Sequence, residues 1–373
     1  MVNVLTSRSR AGTDLKAYAG KPLLHVEDLQ IHFNTLRGVA RVVDGTTLTL
    51  NHGEILGIAG ESGSGKTTLV EAILQIVRFP NREVSGSVMF SPGDATPVDL
   101  MTLDEDRMRP FRGRHIAYVP QGSQNALNPV DRVGRQIVLG MTEHGVREQD
   151  ARARVPELLE RVGLDAKVAR LYPHELSGGM KQRVIIAMAV SLNPELIIAD
   201  EPTTALDVNV QRLIIEALKK LRDDMGIAIM MVSHDLPVHA QLVDRLGIMY
   251  AGQIVEAGGV REVIKQPLHP YANGLIKSVP RVGGKRERLE GIRGATPSPL
   301  AWPPACRFHN RCPHMMPICE KVAPKFARVA EGPREVAGRH VEVKDRHFVA
   351  CHLHPESRPD EGVAPDDMKQ VNA

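Results

Sequence analysis

The residues best suited to chemistry are Gly60-Glu61-Ser62-Gly63-Ser64-Gly65-Lys66-Thr67, a Gly-x4-Gly-Lys-Thr pattern. A short, largely apolar run of buried-strand length, Glu54-Ile55-Leu56-Gly57-Ile58-Ala59, precedes it. Leu69, Val70, Ile73, Leu74, Ile76 and Val77 follow at helical spacing until Pro80. A strand-to-helix turn of this composition predicts a phosphate-binding loop. Its glycines let backbone N–H groups approach phosphate oxygens without a Cβ in the way. The helix N-terminus adds unsatisfied donors and the positive end of its dipole. Gly60, Ser62, Gly63, Ser64, Gly65, Thr67 and Thr68 form the expected cradle. Lys66 would reach the β- and γ-phosphates, and the Thr67 hydroxyl would hold Mg²⁺. A Gly-rich turn with a surface lysine is the bland alternative, and the strand–turn–helix context argues against it.

A second pair of residues completes this chemistry. Leu196-Ile197-Ile198-Ala199 reads as a buried strand ending in Asp200 and Glu201. Adjacent strand residues point in different directions. Asp200 therefore suits Mg²⁺, while Glu201 suits positioning and deprotonating an attacking water. Alone, an Asp-Glu strand end reads equally well as a solvated turn; beside the Gly-rich loop it is a site.

The elements that must position these groups are those of an α/β protein. Partial alternation from Leu23 to Phe33 and from Val39 to Leu50 predicts a strand-rich first layer. Ser85–Phe90 and His115–Val119 are further strands. From about 124 to 190 the period turns helical and charges are dense, which predicts a helical subdomain inserted into the core. Beyond Asp200, a helix (about 208–224), strand (227–232), helix (about 236–243) and strand (246–250) alternate, the signature of a parallel sheet. The expected organisation is a loose tail over 1–20, a core over 21–265, a Cys-bearing extension over 266–354 and a disordered tail over 355–373. A Gly/Pro/charge-rich segment, about 281–304, separates the Cys/His-rich unit. No internal repeat is evident, so one nucleotide loop is expected per chain.

Composition narrows the classes. The 373 residues are 42% hydrophobic, 24% charged and 3% aromatic, with a net charge of +3. That charge is too small to argue for a nucleic-acid partner. No run approaches the roughly 20 apolar residues that cross a bilayer, and Met1 to Gly20 lacks a signal-peptide core. The chain is therefore expected to stay inside the cell and to reach a membrane through protein partners.

The most discriminating stretch is Leu176-Ser177-Gly178-Gly179-Met180-Lys181-Gln182-Arg183, just before a helix. It is a second anion site, a serine hydroxyl and glycine N–H groups at a helix N-terminus; an ordinary helix N-cap is the alternative. With it the chain resembles the ATP-binding cassette proteins, the nucleotide-hydrolysing subunits of ABC transporters. The resemblance covers roughly 21–265 and implies a RecA-like parallel sheet with an antiparallel β layer, ATP and Mg²⁺ as ligands, and a dimer. In such a dimer Ser177, Gly178, Gly179 and Asp207, the last in Ala205-Leu206-Asp207, act in trans on a nucleotide bound by the other subunit. Phe33 matches the family's adenine-stacking aromatic, with a core phenylalanine as the other reading. Gln121 matches a glutamine that touches Mg²⁺ or the attacking water. His234 matches a histidine that contacts the γ-phosphate. Met180 replaces the more common glutamine of the signature, away from its anion contacts.

Further motifs resemble the ATPase subunits of bacterial dipeptide and oligopeptide importers, with nickel importers closely related. They are Leu127-Asn128-Pro129, His269-Pro270-Tyr271-Ala272-Asn273-Gly274-Leu275, Thr296-Pro297-Ser298-Pro299-Leu300, and Cys306-Arg307-Phe308-His309-Asn310-Arg311-Cys312-Pro313. Gln124-Asn125-Ala126 departs from the subgroup's usual residues. The resemblance implies a second ATPase subunit, identical or a paralogue, two transmembrane permease subunits and, indirectly, an extracytoplasmic substrate-binding protein. It places the chain at the cytoplasmic face of the membrane, peripherally. The four cysteines Cys306, Cys312, Cys319 and Cys351, spaced C-x5-C-x6-C with a distant fourth, suit a [4Fe–4S] cluster or zinc. Free thiols are the third reading, and His309, His314, His347, His352 and His354 keep mixed ligation open. Cluster binding in some relatives favours the first, in a structural role.

The implied mechanism is closure of two ATPase subunits over two nucleotides, then hydrolysis that releases them. Moving a two-state switch from 1:99 to 99:1 needs about 5.5 kcal/mol, within reach of two sandwiched nucleotides. A soluble repair or translation protein of the same family would carry two cassettes or long insertions. An exporter would carry membrane spans. A decayed regulatory module would have lost Lys66, Asp200, Glu201 or His234.

Overall fold

Alternating apolar residues near the start of the chain build two long antiparallel strands, β1 (Pro22–Thr35) and β2 (Gly38–Asn51). The computed structural model describes residues 15–77, 82–122, 125–279, 291–344 and 346–359. After β3 (Ile55–Ala59) the chain enters the helix Lys66–Ile73, and β4 (Arg82–Phe90) and β5 (Val98–Asp99) return beside β1. The result is a four-stranded antiparallel sheet in the order β2-β1-β4-β5.

The second sheet holds the site. Its strands include β6 (Ile116–Val119), β7 (Leu196–Asp200), β8 (Ala228–Val232), β9 (Arg245–Tyr250) and β10 (Gln253–Gly259). The C-terminal part adds β11 (Ala327–Arg328), a separate hairpin of β12 (Gly332–Val336) and β13 (Arg339–Val343), and β14 (Phe348–Val349). The order is β11-β14-β10-β9-β3-β8-β7-β6, parallel from β9 through β6. β3, β7 and β8 are buried along their whole length because both faces are covered. Leu196 and Ile198 join the core under the antiparallel sheet, and Ile197 and Ala199 the core under the helices. Between β6 and β7 the chain leaves to form the helices Val133–Thr142, Glu148–Arg161 and Gly178–Ala189.

Several expectations are corrected. The loop helix stops at Ile73, because Gln75 takes a left-handed backbone (φ 53°); Pro80 lies outside the described residues, as does Gln124. The loose tail over 1–20 does not hold for 15–20: Leu15 is buried and the Gly20 N–H donates to His52 O at 3.0 Å. Residues 1–14 lie outside the description. Nor is the chain disordered from 355. Ser357 is fully buried and donates to Val349 O at 2.8 Å, while Glu356 pairs with Arg334 at 2.9 Å. Only 360–373 lie outside. The segment read as a separator, 281–304, is described from 291, and there it packs on the core: the Arg41 N–H donates to Pro299 O at 2.9 Å.

Candidate active site

Strands β3, β6, β7 and β8 run parallel, so their C-terminal ends open on one edge of the sheet, where α/β proteins bind ligands. The Gly-rich loop leaves β3 there. It packs so closely on its neighbours that two positions admit only glycine. A Cβ on Gly60 would lie 2.2 Å from Met249 O, and one on Gly65 (φ 102°) 2.5 Å from Val42 O. Ser62 and Gly63 are exposed and Thr67 and Thr68 half-buried in the first helical turn. Lys66 is folded back into its own loop. Its Nζ donates to Gly60 O and Glu61 O, each at 2.9 Å, and to Ser64 Oγ at 3.3 Å. These three contacts use all three ammonium donors. Burial lowers the Lys66 pKa, against the attraction of Glu201, Asp200 and Glu61.

Asp200 ends β7 with no exposed surface, and neither carboxylate oxygen has a hydrogen-bond partner of normal geometry. Burial pushes its pKa up to about 6, opposed by the Thr67 hydroxyl and Lys66 and reinforced by the Glu201 charge. An orphaned carboxylate buried beside a threonine hydroxyl and facing a phosphate loop fits a Mg²⁺ site. Glu201 is in a different environment. Thr204 Oγ1 donates to its Oε2 at 2.6 Å, the His234 N–H to Oε1 at 3.2 Å, and His234 Nδ1 lies 2.8 Å from Oε1. Burial alone would raise its pKa; these hydrogen bonds outweigh it and hold Glu201 below the ordinary carboxylate value. Its backbone is left-handed (φ 50°) and anchored by its N–H on Val232 O at 2.8 Å. Two adjacent acids thus have opposite tendencies, set by one environment without partners and one full of donors.

The remaining expected residues divide. Val119 pairs with Ala199, so β6 delivers the exposed Gln121 to the same edge as Asp200 and Glu201. His234 follows β8 and projects outward, its side chain 63% exposed. Ser177 is exposed and caps the helix Gly178–Ala189, accepting the Met180 N–H at 3.3 Å. Asp207 is exposed and caps the helix Val208–Met225, accepting the Val210 N–H at 3.0 Å. These two helix starts touch: a Cβ on Gly179 would lie 2.1 Å from Val210 Cγ1. Phe33 is not presented as a free stacking face. It is 8% exposed and belongs to the core under the antiparallel sheet, so the packing matches the core reading.

Among the described residues, no group of three or more His, Cys, Asp or Glu side chains is disposed to hold a metal ion. The geometry therefore gives no support to the cluster or zinc expectation. Cys306 and Cys319 instead influence each other, which raises the Cys306 pKa and lowers that of Cys319. Cys351 is buried, and burial raises its pKa.

Three residues that touch the loop carried no such signal. The Tyr271 hydroxyl accepts the Glu61 N–H at 2.9 Å, and Thr296 and Arg311 bind the Glu61 carboxylate. All three lie in motifs that mark the subgroup, but a motif does not say what its residues touch.

Comparison with known proteins agrees with this geometry. The ABC transporter family model matches residues 43–204, from β2 through the Asp200–Glu201 pair. A solved dimeric, post-hydrolysis structure of the ATP-binding cassette MJ0796, bound to ADP and Pi, superposes with a TM-score of 0.56 at 27% identity, over 64% of this chain and 99% of that one. Fold and site together define an ABC-type ATPase. A second family, Oligopeptide/dipeptide transporter, C-terminal region, matches residues 255–319. The dipeptide transport ATP-binding protein DppD of Caldanaerobacter subterraneus is 37% identical over 345 residues, 90% of this chain and 98% of that protein. Its namesake in Haemophilus influenzae is 38% identical over 317 residues, 84% and 94%. The chain belongs to the ABC transporter ATPases, in the branch that carries the oligopeptide/dipeptide C-terminal region. Among the described residues no helix is long and apolar enough to cross a membrane.

Proposed function

We propose that this chain hydrolyses ATP to drive uptake of di- or oligopeptides, as one subunit of a dimeric ATPase docked peripherally on two permease subunits at the cytoplasmic face. The observation that carries this reading is an intact Lys66, Asp200, Glu201 and His234 constellation in a chain that also has the peptide-transporter C-terminal region. The relatives compared are dipeptide transport proteins, so the nickel reading is not favoured.

In this reading Lys66 leaves its loop carbonyls for the β- and γ-phosphates. Glu201, kept ionised by Thr204 and His234, takes the proton of the attacking water. Thr67, Asp200 and Gln121 would hold Mg²⁺, which supplies charge neutralisation to the phosphates. Ser177, Gly178, Gly179 and Asp207 face the nucleotide of the partner ATPase; the exposure of Ser177 and Asp207, each capping a helix start, supports this. The nucleotide then moves the dimer by differential affinity for the closed state. The purified subunit, alone and with its permeases in lipid vesicles, is expected to hydrolyse ATP. A preparation that binds ATP but hydrolyses none in either setting would refute the assignment.

For Cys306, Cys312, Cys319 and Cys351, a structural [4Fe–4S] cluster is retained, with zinc as the alternative that four thiolates also suit. Its support is that all four cysteines of the sequence gather between residues 306 and 351. Anaerobically purified protein is then expected to be brown and to bleach when these cysteines become serines. Colourless protein without iron would leave them as thiols, and stoichiometric zinc would establish the other metal.

A further inference from the structure

Glu61, the second residue of the phosphate loop, is gripped from the C-terminal part of the chain. Arg311 donates twice to its carboxylate, Nη1 to Oε2 at 2.8 Å and Nη2 to Oε1 at 3.0 Å. The Thr296 hydroxyl adds a bond to Oε2 at 2.7 Å, and the Tyr271 hydroxyl takes the Glu61 N–H at 2.9 Å. The carbonyl of the same Glu61 accepts from Lys66 Nζ at 2.9 Å. One residue thus links the extension to the lysine of the loop.

Arg311 is itself fixed on every side. Its side chain is 6% exposed, its Nε donates to Arg293 O at 3.0 Å, and its Nη1 reaches Tyr250 Oη at 3.3 Å. The guanidinium lies 5.6 Å from the Tyr250 ring centroid and 6.0 Å from that of Phe308. Arg307, four residues earlier, pairs with Asp44 of β2 and donates to Ala251 O. The segment between Cys306 and Cys312 is therefore stapled both to the antiparallel sheet and to the phosphate loop.

A carboxylate in a loop that must receive a polyanion is a liability unless it is neutralised. A planar fork holding it through two parallel bonds neutralises it and also fixes its direction. We propose that Arg311 is a positioning residue for ATP. Through Glu61 it sets the geometry of the loop and screens the carboxylate from the phosphates, so nucleotide affinity depends on the C-terminal segment. This rests on reading Gly60–Thr67 as the triphosphate loop.

The test uses full-length protein, a fluorescent ATP analogue for binding and steady-state ATPase kinetics. R311A is expected to raise Kd and KM for ATP by about tenfold, with kcat within about twofold of wild type. R311K recovers part of the loss, since an ammonium restores charge without the fork. Adding R311A to E61Q is expected to change affinity by less than about threefold, because no carboxylate remains to be neutralised. The proposal fails if R311A binds like wild type, if R311A weakens E61Q as much as it weakens wild type, or if the loss falls on kcat with KM unchanged. Wild-type protein that does not bind the analogue would overturn the loop assignment instead.

Discussion

Replacing Glu201 by Gln is expected to slow ATP hydrolysis by roughly 10²- to 10⁴-fold, the usual contribution of a general base, while ATP still binds. The substitution is nearly isosteric, and the surroundings of Glu201 can accommodate it. Its amide oxygen still accepts from the His234 N–H, and its amide nitrogen can donate to Thr204 Oγ1, which now donates to the carboxylate. The backbone anchor on Val232 O is untouched, so the left-handed conformation persists. What disappears is an acceptor for the proton of water. If hydrolysis is what reopens the dimer, the variant accumulates closed with ATP, which size-exclusion chromatography detects as an ATP-dependent dimer. Turnover at the wild-type rate would exclude Glu201 as the base.

Asp200→Asn is expected to separate function from stability. In the absence of metal, Asp200 carries a buried charge that no hydrogen bond of normal geometry satisfies, and its pKa rises from 3.8 to about 6. Below about pH 4 the carboxyl is protonated in the folded and unfolded chains alike. Between 3.8 and about 6 the unfolded chain releases its proton first, so the stability of the metal-free fold falls as pH rises through this window. Above it the loss is complete, at roughly 3 kcal/mol for a shift of about two units. Asparagine removes this loss but buries unpaired amide groups, an offset of about 1–2 kcal/mol. The metal-free variant should therefore unfold a few degrees above wild type at pH 7.5, and the difference should vanish or reverse near pH 4. Mg²⁺-dependent hydrolysis should fall at least about 10²-fold in the same variant. Parallel stability curves for the two proteins across this range would refute the account.

What was legible in the sequence was whatever depends on local order. The loop, the apolar run Leu196–Ala199 closing on Asp200, and the helix–strand alternation that follows are periodic signals, and the strands lie within a residue or two of their expected bounds. The extension was not legible in this way. β12 (Gly332-Pro333-Arg334-Glu335-Val336) has no alternation, β13 (Arg339-His340-Val341-Glu342-Val343) shows it only over its last three residues, and β11 and β14 are two residues long. Such segments acquire strand character from the partner they pair with, not from propensity. The Arg311–Glu61, Thr296–Glu61 and Tyr271–Glu61 contacts span 250, 235 and 210 residues, and no local pattern encodes a partner at that distance. Phe33 marks a different limit. Alternation places it on the apolar face of β1 but does not say whether that face meets a ligand or the core.

The same long-range pairing has a consequence for how the chain can be cut. β10 would be the last strand of the main sheet were it not for β14, whose Phe348 and Val349 pair with Ala257 and Glu256 while the Ala350 N–H reaches Val255 O. A row of unpaired N–H and C=O groups on an exposed strand invites other chains to add to it. Residues from the far end of the sequence cover that row. An excised fragment ending after β10 would bare it, and such a fragment is expected to self-associate where one reaching residue 350 does not, a difference that size-exclusion chromatography reads.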